Sequence, residues 1–233
     1  MISIRKSDDR GKTQLSWLDS KHSFSFANYF DLDHIGFGTL RVINEDKVDP
    51  AAGFDTHPHS NMEILTYVLE GELSHKDTLG TGSIIIPGDI QRMSAGSGIS
   101  HSESNPLSDA PVHLLQIWII PEKEGLPPSY EQKNFIERRK PGKLTLLASH
   151  DGHDDSLTIH QDVSLYVLDL DPGQSFTYNL EEGRLAWVQM ARGKVDLNGN
   201  ILEQGDGAAI NNEKTLEFLA ENKAEILIFD LTK

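Results

Sequence analysis

The most informative part of the sequence is Thr56-His57-Pro58-His59-Ser60-Asn61-Met62-Glu63, which is followed further along the chain by His101-Ser102-Glu103. Successive side chains of a β-strand point to opposite faces of the sheet, so two histidines one residue apart place both imidazoles on the same face. His101 and Glu103 repeat this spacing. Nitrogen and oxygen donors from two distant strands can therefore converge, and the pattern predicts a metal site with a catalytic role.

Glu63 has the same strand parity as the two histidines before it, so five donors are candidates for one barrel interior. A lone histidine on a strand is usually a core or surface residue, but burying several ionisable groups together is costly unless an ion or hydrogen bonds compensate. We expect the remaining histidines, which lack this spacing, to be structural or exposed. They are His22, His34, His75, His113, His150, His153 and His160.

The donor set indicates the kind of metal. The chain has no cysteine, so thiolate ligands and disulfides are excluded. Three histidines and one carboxylate leave two positions of an octahedron open, as a reaction that binds both a substrate oxygen and O₂ requires. Such nitrogen and oxygen ligands with open positions favour non-haem Fe(II), with Mn, Ni, Cu and Zn as alternatives.

Composition narrows the possible partners. The chain has 36 acidic and 21 basic residues and a formal charge of -15, which disfavours direct binding to nucleic acid. The N-terminal segment from Met1 to Lys12 is charged and lacks the apolar region of a secretory signal. No apolar run reaches the roughly 18 residues of a membrane span. We therefore expect a cytoplasmic location and no membrane partner.

The distribution of apolar residues predicts an all-β protein. Short apolar runs alternate with Gly, Pro, Asn and Asp at intervals of about ten residues, as in sandwiches and barrels. A short helix is predicted over Tyr130–Arg139. The predicted strands are Thr39–Asn44, Glu63–Glu70, Gly71–Asp77, Ser83–Ile86, Val112–Ile120, Ser164–Asp169, Ala186–Ala191 and Ile226–Leu231.

A sequence pattern that recurs in both halves, here called the internal echo, predicts two related β-barrels. In each half a strand turns at a glycine, Gly71 or Gly193, and a Gly-Asp turn later leads into another strand. The predicted units are a metal-binding barrel over 1–125, a linker over 126–155 and a second barrel over 156–233, completed by N-terminal or linker strands. The second half has Phe176-Thr177-Tyr178-Asn179 where the echo would place His-x-His, so metal chemistry is assigned to the first half.

At these residues the chain resembles the cupin superfamily, and within it the pirin family, over nearly its full length. The spacing around the histidines departs from the general cupin motifs: Ser94 replaces a proline, and the gap from Gly96 to His101 is longer. The strings that resemble pirins are Phe54-Asp55-Thr56-His57-Pro58-His59, Met62-Glu63-Ile64, Tyr67-Val68-Leu69-Glu70-Gly71, Ser94-Ala95-Gly96-Ser97-Gly98-Ile99, His101-Ser102-Glu103 and the N-terminal run from His22 to Phe30.

The resemblance implies a bicupin fold, with two double-stranded β-helix barrels of which the second is degenerate. It implies four metal ligands, His57, His59, His101 and Glu103. Glu103 takes the place that the general cupin motif gives to Glu63. Glu63 is then expected to support the site or to pack. A covered barrel edge would make a monomer reasonable.

The activity that the resemblance implies is quercetin 2,3-dioxygenation, the O₂-dependent opening of a flavonol ring with release of CO. The three histidines would hold the ion and Glu103 would also act as general base. A flat aromatic substrate needs an apolar slot, for which the candidates are Phe24, Phe26, Phe54 and Met93. Gln116 and Trp118 share one face of a strand, where Gln116 is a candidate hydrogen-bond partner of a ligand or of a metal-bound histidine.

Two alternatives stay open from the sequence. The first is an iron-dependent, redox-sensing regulator without turnover that acts through a protein partner. The second is a cupin enzyme with a different small-molecule substrate. Oxygen uptake separates them, because an oxygenase consumes O₂ with its substrate while an isomerase or a regulator does not.

Overall fold

Strands account for the secondary structure of almost the whole chain. The computed structural model describes residues 1–232, and in this range it contains three short 3-10 turns and no α-helix. The turns span Ser7–Asp9, Leu32–His34 and His153–Asp155. The strands are β1 Ile2–Arg5, β2 Gly11–Gln14, β3 Leu18–His22, β4 Leu40–Val48, β5 Gly53–His59, β6 Glu63–Glu70, β7 Leu73–Asp77, β8 Gly82–Ile85, β9 Asp89–Ser94, β10 Ile99–Ser104, β11 Val112–Ile119, β12 Ser129–Asn134, β13 Leu144–Ser149, β14 Leu157–Thr158, β15 Val163–Leu170, β16 Ser175–Asn179, β17 Leu185–Arg192, β18 Lys194–Leu197, β19 Asn200–Glu203, β20 Gly207–Asn211, β21 Thr215–Ala220 and β22 Ala224–Leu231.

The strands form two barrels, each made of a seven-stranded and a four-stranded sheet. The first barrel has the orders β12-β9-β6-β11-β4-β3-β2 and β5-β10-β7-β8. The second has the orders β1-β20-β17-β22-β15-β13-β14 and β16-β21-β18-β19. Each of the eight predicted strands coincides with an observed one, and the all-β bicupin prediction is confirmed.

The N-terminus and the predicted linker both contribute strands. β1 pairs with β20, so the first residues of the chain extend the second barrel. Within 126–155, β12 pairs with β9 of the first barrel and β13 pairs with β15 of the second. The three predicted ranges, 1–125, 126–155 and 156–233, stay predictions.

The helix predicted over Tyr130–Arg139 is wrong. Residues 129–134 form the edge strand β12, in which Tyr130 lies opposite Met93. The segment is polar and has no apolar stripe that a helix could bury. An edge strand satisfies its backbone groups by pairing with β9 and needs no such stripe.

The largest apolar cluster lies between the two barrels, and the barrels differ in how much apolar packing fills their interiors. The largest cluster includes Leu65 and Ile117 from the first seven-stranded sheet and Val167 and Phe229 from the second, so these sheets pack against each other. A second large cluster fills the interior of the second barrel. The first barrel has only two small apolar clusters, which leaves room for polar side chains.

The second barrel is degenerate, as predicted, because its strand that corresponds to β5 carries no histidine. β16 occupies the same edge position in its sheet as β5 in the first barrel. Phe176 and Tyr178 of β16 pack against the apolar filling, where β5 carries His57 and His59. Among residues 1–232 no helix is long and apolar enough to cross a membrane.

Candidate metal centre

The pairing of β5 with β10 brings the histidines together. His101 lies directly opposite His57, and Ile99 lies opposite His59. The register shifts between His101 and Glu103, so that Glu103 lies opposite Phe54. Such a bulge re-aims the side chains beside it. The strands also approach closely at Gly53, where a Cβ would meet the Glu103 carbonyl oxygen at 2.3 Å.

Three imidazoles converge at one end of the first barrel. The Nε2 atoms of His57 and His101 are 3.1 Å apart. The ring centroids are separated by 4.5 Å for His57 and His101, 4.8 Å for His57 and His59, and 4.9 Å for His59 and His101. One ligand nitrogen from each ring lies within 4.8 Å of the others. A single ion can therefore be shared by all three.

The imidazoles of His59 and His101 are held in the neutral form that binds metal. Burial lowers the pKa of His101 to about 3, and the neighbouring His57, His59 and His75 lower it further in the same direction. Burial and the proximity of His57 likewise lower the pKa of His59 to about 4. Neutral imidazole nitrogens with free lone pairs that face one another can bind a divalent cation, because a metal ion binds deprotonated ligands.

Hydrogen bonds on the far side of two rings decide which nitrogen is free. Nδ1 of His57 lies 2.7 Å from the carbonyl oxygen of Asp55, which can only accept, so this nitrogen carries the proton. Nδ1 of His101 lies 3.4 Å from Nδ1 of His75, whose Nε2 lies 3.1 Å from the Asp77 carboxylate. If His75 donates to Asp77, it accepts from His101. Both ligand rings then present an unprotonated Nε2 to the cluster.

Glu103 is a buried carboxylate next to this cluster. Nε2 of Gln116 donates to both of its oxygens, at 2.9 and 3.2 Å, and Thr66 donates to one of them at 3.5 Å. Burial raises the pKa of Glu103 to about 7, although the hydrogen bonds from Gln116 and Thr66 oppose the rise. Glu103 forms a second, overlapping group of potential ligands with His75 and His101.

Glu63, the fifth candidate donor by strand parity, lies outside both groups of potential ligands. Its buried carboxylate accepts from the Ser94 hydroxyl at 2.9 Å and from the His160 backbone N–H at 3.2 Å. Strand parity cannot be counted from His59 to Glu63, because β5 ends at His59 and Asn61 has a left-handed φ of 49° before β6 begins. Glu63 instead connects the first barrel to a residue of the second half.

A cavity of about 230 Å³ opens beside the histidines. Its apolar walls include Leu18, Phe26, Phe54, Ile64 and Trp118. The ring of Trp118 packs edge-on against His59 at 4.9 Å. An aromatic molecule that enters this cavity lies next to the three imidazoles and Glu103.

Two of the four residues predicted for the apolar slot lie elsewhere. Phe26 and Phe54 line the cavity, but Phe24 packs on Trp187 between the barrels at 4.8 Å. Met93 is buried in a small cluster with Ile99. The chain bends at residues 23 and 24 after β3 ends at His22, so the alternation of a strand does not apply from Phe24 to Phe26.

Sequence reasoning missed His75, Asp77 and His22, and it proposed Gln116 with a different hydrogen-bond partner. His75 is fully buried behind His101, and His22 is buried at the wall of the cavity. His75 and Asp77 have the same one-residue spacing as His57 and His59, and this was the available signal. Gln116 contacts Glu103 rather than a histidine.

Comparison with known proteins places the chain in a family. The family described as Pirin matches residues 4–119, and the quercetinase C-terminal cupin domain matches residues 146–231. A protein from Escherichia coli strain K12 named quercetin 2,3-dioxygenase is 46% identical over 231 residues, which cover 99% of each chain.

Solved structures agree with this relationship. The crystal structure of YhhW from Escherichia coli is 44% identical and has a TM-score of 0.96, covering 99% of this chain and 97% of that one. The structure of the bacterial pirin YhhW in complex with nickel(II) is 44% identical with a TM-score of 0.95, covering 100% and 99%. The chain therefore belongs to the pirin family of the cupin superfamily, and it is a divalent-metal cupin enzyme related over its full length to proteins named quercetin 2,3-dioxygenase.

Proposed function

We propose that the protein is a flavonol dioxygenase that uses Fe(II) held by His57, His59, His101 and Glu103. The observation that carries the proposal is the convergence of three imidazoles and a buried carboxylate on an aromatic-walled cavity. The names of the full-length relatives support flavonol as the substrate class. The ligand types support Fe(II), with Mn, Ni, Cu and Zn as alternatives.

The metal would supply open positions for the flavonol 3-hydroxyl and for O₂, and a positive charge that favours the deprotonated hydroxyl. His57 and His101 present Nε2 because Asp55 and His75 accept hydrogen bonds from their other ring nitrogens. Leu18, Phe26 and Phe54 exclude water from the flat face of the substrate. The overall reaction takes up one O₂, opens the central ring and releases one ring carbon as CO.

Glu103 is the proton acceptor in this proposal. Burial raises the pKa of Glu103 to about 7 in the metal-free protein, and a bound divalent cation would favour the deprotonated carboxylate, the form that accepts a proton. Gln116 holds both carboxylate oxygens and so fixes their orientation toward the cavity. Gln116 therefore positions the base, while the three histidines carry the ion.

The proposal is tested with Fe(II)-loaded protein and quercetin in air. We expect loss of the flavonol absorbance together with O₂ uptake and release of CO in equal amounts. Glu103→Gln should lower kcat by about 10²-fold or more, as expected for loss of a general base. If quercetin persists and no O₂ is consumed while metal analysis shows a full site, the flavonol assignment is wrong.

A further inference from the structure

A polar wall of the cavity has no role in the reaction proposed above. It is formed by Thr13 on β2, Ser20 and His22 on β3, and Asn44 and Asp46 on β4, all of which line the same cavity as the histidines. The register places Ser20 opposite Asp46 and His22 opposite Asn44. These strands form the β2 edge of the seven-stranded sheet, whereas the histidines lie on the facing four-stranded sheet.

The side chains of this wall are already organised by hydrogen bonds. Nδ1 of His22 lies 2.8 Å from Oδ1 of Asn44, and its Nε2 lies 2.9 Å from the hydroxyl of Thr13. Burial lowers the pKa of His22, so the ring is neutral and donates to Asn44 while it accepts from Thr13. The Ser20 hydroxyl donates to Oδ1 of Asp46.

Two atoms of the wall are left for a ligand. Within the described chain, Oδ2 of Asp46 and Nδ2 of Asn44 take part in no hydrogen bond, and neither is sealed off from the cavity. Asp46 is only 4% exposed and Asn44 3%. Burying a carboxyl group in a largely apolar cavity is costly unless a donor satisfies it. An acceptor beside a donor, next to aromatic walls, matches a phenolic hydroxyl, which both donates and accepts.

We propose that Asp46 and Asn44, oriented by Ser20 and His22, form a subsite that binds a phenolic hydroxyl of the substrate on a ring other than the one that meets the metal. The inference rests on the proposed function and narrows its substrate class to flavonols with hydroxyl groups on an outer ring. Asp46 accepts the hydrogen bond from that hydroxyl and Asn44 donates to its oxygen. The flavonol hydroxyl at the metal and the outer hydroxyl together fix the substrate in one orientation.

The test measures binding rather than turnover. Zn-loaded wild-type protein is titrated anaerobically by calorimetry with quercetin, which has outer-ring hydroxyls, and with 3-hydroxyflavone, which has none. We expect Asp46→Ala to raise the Kd for quercetin about tenfold, near the upper end of what one hydrogen bond contributes, and to change the Kd for 3-hydroxyflavone less than about twofold. Asp109→Ala, which removes an exposed carboxylate outside the cavity, is the matched control and should change neither.

Asp46→Asn keeps the side-chain volume and one acceptor, so it should raise the quercetin Kd less than Asp46→Ala does. Metal content and melting temperature of each variant show that the site and the fold are intact. Equal effects of Asp46→Ala on both flavonols, or no effect on either, overturn the subsite and leave the proposed function standing. If wild-type protein binds neither flavonol, the proposed substrate class and this inference fail together.

Discussion

His101 lies at the middle of the candidate metal centre, between His57 and His75. Its Nε2 faces His57 at 3.1 Å, and its Nδ1 faces His75 at 3.4 Å. When an ion binds Nε2 of His101, His75 therefore lies on the opposite side of the ring, at Nδ1. In this geometry His75 and Asp77 do not compete for the metal but set the protonation and the orientation of a ligand.

Removing this support should weaken metal binding without removing a ligand. We expect His75→Ala and Asp77→Asn to lower the affinity for divalent metal about 10- to 100-fold, because His101 loses the acceptor that fixes its tautomer. His75→Asn keeps an acceptor near the position of Nδ1 and should recover part of the loss. Competition titration with a chromogenic chelator measures the affinities.

The exposed His150 provides the control, since His150→Ala removes an imidazole far from any metal cluster of the described residues. If His75→Ala and His150→Ala bind divalent metal with equal affinity, then His75 only fills space and does not support His101. Unfolding in urea, followed in parallel, separates a loss of affinity from a loss of fold.

At the scale of elements, the site depends on how closely β5 and β10 pair. Two strands that are far apart in sequence supply all three histidines, and their register places His57 beside His101. Gly53 starts β5, and a Cβ at this position would lie 2.5 Å from the Cα of Ser104. The absence of a side chain thus permits the approach that aligns the ligands.

We therefore expect Gly53→Ala to push β5 away from β10, lowering both metal affinity and the free energy of unfolding, the latter by about 1–3 kcal/mol as for other overpacked sites. Gly82→Ala is the matched control, because Gly82 also begins a strand and a Cβ there meets nothing within 4 Å. Equilibrium unfolding and metal titration of the two variants give the comparison. Equal behaviour of the two would contradict a role for close pairing.

Strand parity explains what the sequence could and could not predict at this scale. The alternation of side chains correctly places His57 with His59, because both lie within one strand. It fails from His59 to Glu63, where Asn61 has a positive φ, and from Phe24 to Phe26, where the chain bends after β3 ends. The spacing of His75 and Asp77 matches that of His57 and His59, but spacing alone does not place His75 behind His101, because that position depends on the long-range pairing of β7 with β10.

At the scale of the whole molecule, two barrels of the same design have different interiors. The second barrel is filled by an apolar cluster, and its β16 presents Phe176 and Tyr178 inward. The internal echo and the missing His-x-His predicted this division. The sequence predicted that N-terminal or linker strands complete the second barrel, but it could not predict the partner strand. The pairing of β1 with β20 joins segments from opposite ends of the chain and depends on the final packing.

A crystal structure of the metal-loaded protein, with anomalous scattering data, would show whether the first barrel holds a single metal centre. We predict one peak per chain, bonded to Nε2 of His57, His59 and His101 at about 2.0–2.2 Å and to a carboxylate oxygen of Glu103. No peak is expected in the second barrel. A peak bound by His75, a peak within the second barrel, or an ion that omits any of the three histidines would contradict the account.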